Sequence, residues 1–174
     1  HADHIRSVGV LSRRFSLPVY ISRKTEAAAA SQLGKIQDVR YFEVGTGFSV
    51  GKMCIHPFSV SHDAEDPAGF TIRQNGKKIG IATDLGIATA MVKEHLKGCD
   101  GLVIEANHDP AMLITGPYPW PLKQRVRDRT GHLSNQASAN LLAEINHDRL
   151  SHVVLAHLSE NNNTPANALD TVSE

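Results

Sequence analysis

The 174-residue chain contains only two cysteines, Cys54 and Cys99. Two thiols exclude a disulfide framework and a structural zinc site built on cysteine thiolates. No apolar run approaches the roughly 18 to 20 residues that a membrane span requires. No signal or transit peptide is recognisable, so the sequence predicts a cytoplasmic protein that does not enter a membrane.

An excess of charge of one sign is also missing, because 18 basic residues balance 18 acidic ones. This balance excludes a histone-like protein that holds nucleic acid by bulk positive charge, while a local basic patch remains compatible with it. Hydrophobic residues make up 41% of the chain, which is typical of a folded domain with a buried core. We expect a single layered α/β domain over residues 1–174.

The predicted elements are hairpins followed by alternating strands and helices. The apolar residues between positions 5 and 15 have helical spacing. Asn75-Gly76 stands between two extended arms and predicts a two-residue hairpin turn. Residues 110–121 are rich in proline and predict a loop, and residues 123–129 predict a helix.

Histidine is abundant, with ten residues, and polar groups recur where apolar strands are predicted to end. His62, Asp84, Glu105 and His157 each follow such a strand, and His1-Ala2-Asp3-His4 opens the chain. Strand ends that share one edge of a sheet bring their side chains together, so we expect a cluster of imidazoles and carboxylates. Such a set suits two divalent metal ions, Zn²⁺ or Mn²⁺, with Fe also compatible.

Each of these residues alone has a simpler interpretation. His1 and His4 are compatible with exposed residues near a terminus, and His62 with a surface loop. Asp84 is compatible with a helix N-cap, and His157 with a histidine at the edge of the core. The order of all of them along the chain, each at the exit of a strand, favours the metal site.

This order resembles the metallo-β-lactamase superfamily, whose signature is H-x-H-x-D-H followed by a distant His, an Asp and a final His. The segment His1-Ala2-Asp3-His4 matches the last four signature positions. The resemblance implies an αββα sandwich, in which two mixed sheets pack face to face with helices outside. It also implies a fragment that is incomplete at the N-terminus, because the first strands and the first signature histidine would precede residue 1.

The resemblance further implies two metals that share one carboxylate, with a bridging hydroxide as the nucleophile. The first metal would be held by the preceding histidine with His1, His62 and Asp84. The second would be held by Asp3, His4, Asp84 and His157. In this scheme Asp84 bridges the metals, and Asp3 also orients the attacking hydroxide as a catalytic residue.

Four longer strings, at residues 104–109, 116–122, 131–135 and 156–162, resemble the YycJ/WalJ-type branch of the superfamily. That branch is described as exonuclease-like and directed at DNA in the 5′-to-3′ direction. The resemblance therefore implies a DNA phosphodiester as the substrate.

The residues themselves favour a polyanion as well. Positions 123–129 carry four basic residues and one acidic residue, and they lead into a predicted helix start at residues 131–135, where free N–H groups bind phosphate. The simpler interpretation is a solvated amphipathic helix. We expect five substrate contacts: Asn107, Arg125, Arg129, His132 and Ser134.

Two further residues are predicted to be catalytic, Glu105 and His108. His108 is placed to contact a phosphate or to protonate the leaving oxygen, and Glu105 to orient His108 or His132. A loop histidine held by Asp109 is the simpler interpretation of His108.

Three functions remain open. The first is a dinuclear-metal phosphodiesterase, in particular a DNA exonuclease, and the basic segment favours it. The second is a metallohydrolase of a small thioester, lactone or cyclic phosphodiester, which the zero net charge favours. The third is a metal-binding relative without turnover, which the nearly full ligand set disfavours.

Overall fold

A computed structural model describes residues 1–173 of the chain. Within these residues the strands are β1 (Val19–Ile21), β2 (Val39–Tyr41), β3 (Phe48–Val50), β4 (Met53–Ser59), β5 (Ala68–Gln74), β6 (Lys77–Ala82), β7 (Gly101–Glu105) and β8 (His152–Ala156). The helices are α1 (Ala2–Ile5), α2 (Val8–Phe15), α3 (Arg23–Leu33), α4 (Ala90–Leu96), α5 (Pro110–Thr115), α6 (Trp120–Arg127), α7 (Asn135–Ile145) and α8 (Pro165–Ser173). Among the described residues, no helix combines the length and the apolar character that crossing a membrane requires.

Six strands form one mixed sheet in the order β3-β4-β5-β6-β7-β8. The pairs from β3 to β6 are antiparallel, and β6, β7 and β8 are parallel. The predicted Asn-Gly turn joins β5 to β6, with Asn75 at φ 51° and Gly76 at φ 75°. These positive φ angles are the ones that a type I′ hairpin turn requires.

The main core lies between the six-stranded sheet and the helices α4 and α7. Phe58 and Ile104 from the sheet pack with Val92 and Leu96 from α4 and with Leu141 from α7. All five side chains are at most 2% exposed. Burial of this apolar surface is what holds the helical layer on the sheet.

A two-stranded parallel sheet, β1-β2, lies against the opposite face of the large sheet. Aromatic rings make the contact, with Tyr20 stacked on Phe48 at 5.0 Å and Phe42 edge-on to Phe70 at 5.8 Å. The result is helices, a mixed sheet and a second sheet in layers, and the predicted layered fold is confirmed. The second sheet is a parallel pair of strands and not the mixed sheet that the resemblance implied.

The sheet topology brings four strand ends to one edge. Because β6, β7 and β8 are parallel, their carboxyl ends meet there. Strand β4 runs in the same direction as β6, because each of them is antiparallel to β5. The predicted strand-exit residues His62, Asp84, Glu105 and His157 therefore all emerge at this edge.

Three predicted elements differ from the structure. The helix near the N-terminus is broken between α1 and α2, and Leu11 and Phe15 on α2 are about half exposed instead of packed. The predicted loop contains α5, because Asp109 caps it through a 2.8 Å bond from Met112 N and Pro110 occupies its first turn. The helix expected over 123–129 begins earlier and ends at Arg127.

Candidate metal centre

Two residues at the common edge have unusual backbone geometry. Asp84 and His157 both have a φ of 56°. A left-handed conformation is uncommon for a residue other than glycine, and it tends to occur at functional sites. His157 follows β8 directly, and Asp84 lies two positions after the end of β6. The left-handed conformation therefore occurs where each strand ends, at the edge that carries the cluster.

Four side chains form one group whose donor atoms lie within 4.8 Å of one another: Asp3, His4, Asp84 and His157. The Nε2 atom of His4 lies 3.3 Å from Asp3 Oδ2 and 3.0 Å from Asp84 Oδ2. The Nε2 atom of His157 lies 3.2 Å from Asp3 Oδ2 and 3.5 Å from Asp84 Oδ1. The structure thus brings together the whole set expected for the second metal.

This geometry fits a bound metal ion. Two ligand atoms held at about 2.0 to 2.1 Å in a tetrahedral site lie about 3.3 to 3.4 Å from each other. The four contacts between imidazole nitrogen and carboxylate oxygen range from 3.0 to 3.5 Å. Two nitrogens and two oxygens without a thiolate suit Zn²⁺, Mn²⁺ or Fe. The role of these residues as ligands stays a prediction.

The charges in this group also call for a cation. Burial opposes ionisation of Asp84, but the hydrogen bond from His4 and the charge of His157 outweigh it and hold the pKa of Asp84 well below its usual range. The hydrogen bond to Glu105 raises the pKa of His157 to about 9, and the bond to Asp84 raises the pKa of His4. The carboxylates thus favour positive charge on the imidazoles, and a divalent ion would compete with protons for the same nitrogens.

A second group contains His1, His62 and Asp63. His1 Nδ1 lies 3.2 Å from His62 Nε2, and both Nε2 atoms lie 3.6 Å from Asp63 Oδ1. His62 Nε2 is also 3.5 Å from Asp84 Oδ1. Asp84 therefore faces both groups, with one oxygen towards His62 and the other towards His4, as a bridging ligand would.

The loop between α6 and α7 orients His62. Gly131 O lies 3.1 Å from His62 Nδ1, which places Nε2 towards the cluster. Asp63 N donates to Thr130 O at 3.0 Å, so the same loop also holds the next residue. Only glycine fits at position 131, because a Cβ atom would collide with the carbonyl oxygens of Arg125 and Val126.

Glu105 lies beneath the cluster and is fully buried. Its Oε1 lies 2.8 Å from His157 Nδ1 and 2.7 Å from His132 Nδ1. Its Oε2 accepts the backbone N–H groups of Leu85 at 3.0 Å and Leu133 at 3.2 Å. Burial opposes the ionised form, but the two histidines outweigh it and lower the pKa of Glu105. A buried carboxylate with four partners is a positioning group that sets which imidazole nitrogen faces a metal.

This arrangement bears on both predictions about Glu105. Of the two histidines that it was predicted to orient, it hydrogen-bonds His132 and not His108, and it also holds His157. It has no exposed surface and so does not reach substrate. It acts through its histidines and is not a catalytic residue.

His132 lies inside the cluster and not on a separate phosphate-binding surface. Its ring centre is 5.0 Å from that of His62 and 5.1 Å from that of His157. With His62 and Asp84 it forms a further group of donor atoms within 4.8 Å. Because Glu105 engages its Nδ1, its Nε2 is left to contact a substrate or a metal. Its predicted role in substrate binding therefore stays open at the centre of the site.

Three other predicted site residues support loops around the centre. Asn107 Nδ2 donates to His157 O at 2.8 Å and is only 8% exposed. The Ser134 hydroxyl accepts from Ala137 N at 3.2 Å and so caps α7. His108 is 3% exposed, and its Nδ1 has no hydrogen-bond partner within residues 1–173. Asn107 and His108 are buried and Ser134 is half-buried, and the predicted substrate roles of all three stay predictions.

The environment of His108 disfavours one of its two predicted roles. Burial lowers its pKa to about 4. The imidazole is therefore neutral at pH 7 in the free protein, a state that does not suit the acid that protonates a leaving oxygen. A neutral imidazole can still donate or accept one hydrogen bond, and the predicted phosphate contact is compatible with that.

This neutral, buried histidine predicts a pH dependence of stability. The folded-state pKa lies below the usual value of about 6.5, so the contribution of His108 is present at pH 8 and is lost as the pH falls. Between pH 8 and pH 5 the free energy of unfolding is expected to fall about 2 kcal/mol more in the wild type than in His108→Gln. Urea denaturation with a chelator present, at both pH values, measures the difference. The exposed His152→Gln serves as the control, and parallel pH profiles for wild type and His108→Gln would contradict the prediction.

The basic residues of positions 123–129 lie in different environments. Lys123 is buried and donates to Ile114 O at 2.6 Å, so it cannot face a phosphate. Arg125 pairs with Asp63 through bonds of 2.6 and 3.2 Å. This pair places the Arg125 guanidinium beside the group formed by His1, His62 and Asp63. Arg129 is exposed, and its side chain makes no ion pair within the described residues.

Asp63 is the residue that the sequence interpretation missed. It connects the basic helix α6 to the histidines of the first group, through Arg125 on one side and His62 on the other. The hydrogen bond from Arg125 holds the pKa of the Asp63 carboxyl below its usual value. Its position directly after His62 was the only signal in the sequence.

The family of this chain follows from its similarity to known proteins. Residues 1–158 match the family described as the beta-lactamase superfamily domain. The chain belongs to this superfamily. Its fold is the metallo-β-lactamase hydrolase fold, as the resemblance implied. Among solved structures it is similar to the metallo-beta-lactamase fold protein YhfI from Bacillus subtilis, with a TM-score of 0.72 and 15% identity over 99% of this chain and 67% of that chain.

A second solved structure with this fold is Zn²⁺-bound PqqB from Methylobacterium extorquens, with a TM-score of 0.66, 17% identity and coverage of 91% and 57% of the two chains. Two relatives identified by sequence have a higher identity to this chain than these solved structures do. Exodeoxyribonuclease YycJ of Bacillus anthracis is 38% identical over 176 residues, which cover 100% of this chain and 67% of that protein. Exodeoxyribonuclease WalJ of Streptococcus pneumoniae is 36% identical over 167 residues, covering 94% and 62%. The chain thus spans between three fifths and two thirds of the length of these relatives.

Proposed function

We propose that this chain provides the metal-binding hydrolytic centre of a DNA exonuclease. The observation that carries the proposal is the group formed by Asp3, His4, Asp84 and His157, in which every nitrogen-to-oxygen contact has a separation suited to a shared metal. The names of the YycJ and WalJ relatives support DNA as the substrate. Action on chromosomal DNA would place the protein in the cytoplasm.

Two divalent ions, Zn²⁺ or Mn²⁺, are the proposed cofactors. When bound, they supply a nucleophile from water at neutral pH and stabilise charge on the phosphate. The second metal would be held by the four residues of that group. The first would take His1, His62 and Asp84, with Asp84 shared between the two sites.

The other residues of the site orient the ligands and receive the substrate. Glu105 keeps Nε2 of His157 directed at the centre, and Gly131 O does the same for His62. His132 presents Nε2 between these two histidines, and because its Nδ1–H is donated to Glu105, Nε2 can donate a hydrogen bond to a phosphate oxygen only when the ring is a doubly protonated imidazolium. Arg125 stands beside the first group and can pair with the phosphate of a neighbouring nucleotide.

A cleavage assay with defined ends tests the proposal. Duplex and single-stranded DNA, labelled at the 5′ or the 3′ end, are incubated with the purified protein and Mn²⁺ or Zn²⁺. We expect metal-dependent release of nucleotides from one end, and the labels identify which end. Metal binding without cleavage of any DNA, together with hydrolysis of a small phosphodiester, would contradict the DNA assignment and leave the metal site intact.

Arg125 provides a prediction about substrate binding. Arg125→Gln removes one phosphate contact and leaves the Asp63 carboxylate unpaired beside the substrate. DNA binding is expected to weaken about tenfold at low salt, and the slope of log affinity against log salt to fall by about one. Fluorescence anisotropy over a salt series measures both quantities.

Arg149→Gln is the matched control for this prediction. Arg149 lies near Gly98, at the amino end of the parallel strands and opposite the metal centre. It is expected to change neither affinity nor slope by more than twofold. Equal effects of the two variants would show that Arg125 acts only through net charge.

A further inference from the structure

A cavity of about 570 Å³ lies on the helix-covered face of the six-stranded sheet, beside α4. It borders the amino-terminal halves of β4 and β6, whereas the metal centre lies at their carboxyl ends. It exists because α4 covers only part of this face. Gly80 lies under α4 so closely that a Cβ would stand 2.7 Å from Leu96, while Cys54, Thr71 and Arg73 lie beyond the helix and line the opening.

Three stacked rings end at this cavity. Phe58, which is 1% exposed, stacks on His95 at 4.7 Å with 7° between the planes. His95 stacks in turn on His56 at 5.0 Å and 24°. His56 is half-buried and lines the cavity, and within residues 1–173 no further ring packs on it. The stack therefore offers a planar ligand a pre-ordered ring on which to continue.

The same cavity carries positive charge. Arg73 and Lys78 are direct partners across the β5–β6 pair, and both line the opening. Lys78 Nζ is held by Lys97 O at 2.6 Å, and Arg73 makes no ion pair among the described residues. The only lining carboxylate, Glu94, lies 3.3 Å from Lys97 Nζ. An anionic group entering here meets an uncommitted guanidinium, the side chain best suited to phosphate.

We propose that this cavity is a nucleotide site that takes a nucleoside monophosphate, with the base stacked on His56 and the phosphate paired with Arg73. The cavity volume falls in the usual range of small-molecule sites, about 300 to 1,000 Å³. A stacking ring on β4 and a free guanidinium on the neighbouring strand β5 are the two features that a nucleotide needs. The site is separate from the metal centre and does not depend on the nuclease proposal.

Isothermal titration of the purified protein with dAMP, inorganic phosphate and deoxyadenosine tests the site. We expect dAMP to bind at least tenfold more tightly than either half alone. Arg73→Gln and His56→Ala are each expected to weaken dAMP binding about tenfold. Asp84→Asn, which alters the metal centre, should leave this binding within twofold, and Arg73→Gln should leave DNA cleavage within twofold.

Several results would overturn the site. These are dAMP binding no tighter than phosphate, dAMP binding that survives Arg73→Gln and His56→Ala, binding that is lost in Asp84→Asn, and no binding of dAMP at millimolar concentration. Arg73 is exposed and tied to no partner, so its replacement is not expected to unfold the protein. Circular dichroism of both variants checks that they are folded. Arg73→Gln removes a contact with the phosphate and His56→Ala removes a contact with the base, so a similar loss of binding in both cannot come from one local defect.

Discussion

Replacing Asp84 by asparagine is expected to reduce DNA cleavage by more than about 10³-fold and to remove bound metal. Asp84 Oδ1 lies 3.5 Å from Nε2 of both His62 and His157, and its Oδ2 lies 3.0 Å from Nε2 of His4. Asparagine keeps the shape but loses the charge and replaces one oxygen by an NH₂ group that cannot bind a metal. Metal ions contribute several kcal/mol to the stabilisation of the transition state, and 1.36 kcal/mol corresponds to tenfold in rate.

Elemental mass spectrometry and single-turnover cleavage rates measure the two effects of Asp84→Asn. The matched control is Asp148→Asn, which makes the same chemical change at an exposed loop position. It should retain both metal and activity. Full metal content together with a normal cleavage rate in Asp84→Asn would disprove the assignment of a shared ligand.

Glu105→Gln is expected to lower metal affinity or activity by about 10- to 100-fold, although Glu105 contacts no substrate. The carboxylate Oε1 lies within hydrogen-bonding distance of Nδ1 of both His132 and His157. The amide oxygen of glutamine can replace Oε1 only in part, because the amide is uncharged. The amide NH₂ group would then take the place of Oε2 and would face the backbone N–H groups of Leu85 and Leu133, which are themselves donors. The loss of charge-assisted bonds in a fully buried site also costs about 1.5 to 3 kcal/mol of stability.

A readout beyond activity separates positioning by Glu105 from a general structural role. Nitrogen NMR of the histidines reports which ring nitrogen carries the proton, and we expect Glu105→Gln to change the tautomer or charge of His132 and His157 alone. Glu144→Gln makes the same change in an exposed pair with Lys93 and should shift stability by less than about 1 kcal/mol. Unchanged histidine spectra in Glu105→Gln would show that the network does not set the imidazole state.

The local parts of the fold could be predicted from the sequence because the signals lie within a few residues. Asn75-Gly76 fixes its hairpin through backbone conformations that these two residues favour. Ser134 and Thr164 cap their helices through side-chain oxygens that accept the N–H three residues on. The helix α5 was missed although Asp109 and Pro110 carry its start signal, because the surrounding prolines favour a loop.

The burial of α2 could not be predicted from periodicity. Its spacing is helical, but Leu11 and Phe15 lie on the exposed side, while Gly9 and Ser12 face the protein. Gly9 lies where a Cβ would collide with the carbonyl of Leu33 at the end of α3. The backbones of α2 and α3 approach so closely that only small residues fit at the contact. Which face of α2 is buried therefore depends on another helix and not on the local spacing of apolar residues.

The sequence by itself determined which polar residues follow strands, and hence that Asp84, His62 and His157 emerge at one edge once the strands are parallel in direction. Only the tertiary structure decided how they are held. Arg125 reaches Asp63 across 62 positions of the chain, and Glu105 reaches His132 and His157 across 27 and 52 positions. Pairings over such distances depend on how strands and loops pack, since burial and hydrogen bonding select partners in space and leave no periodic trace along the chain.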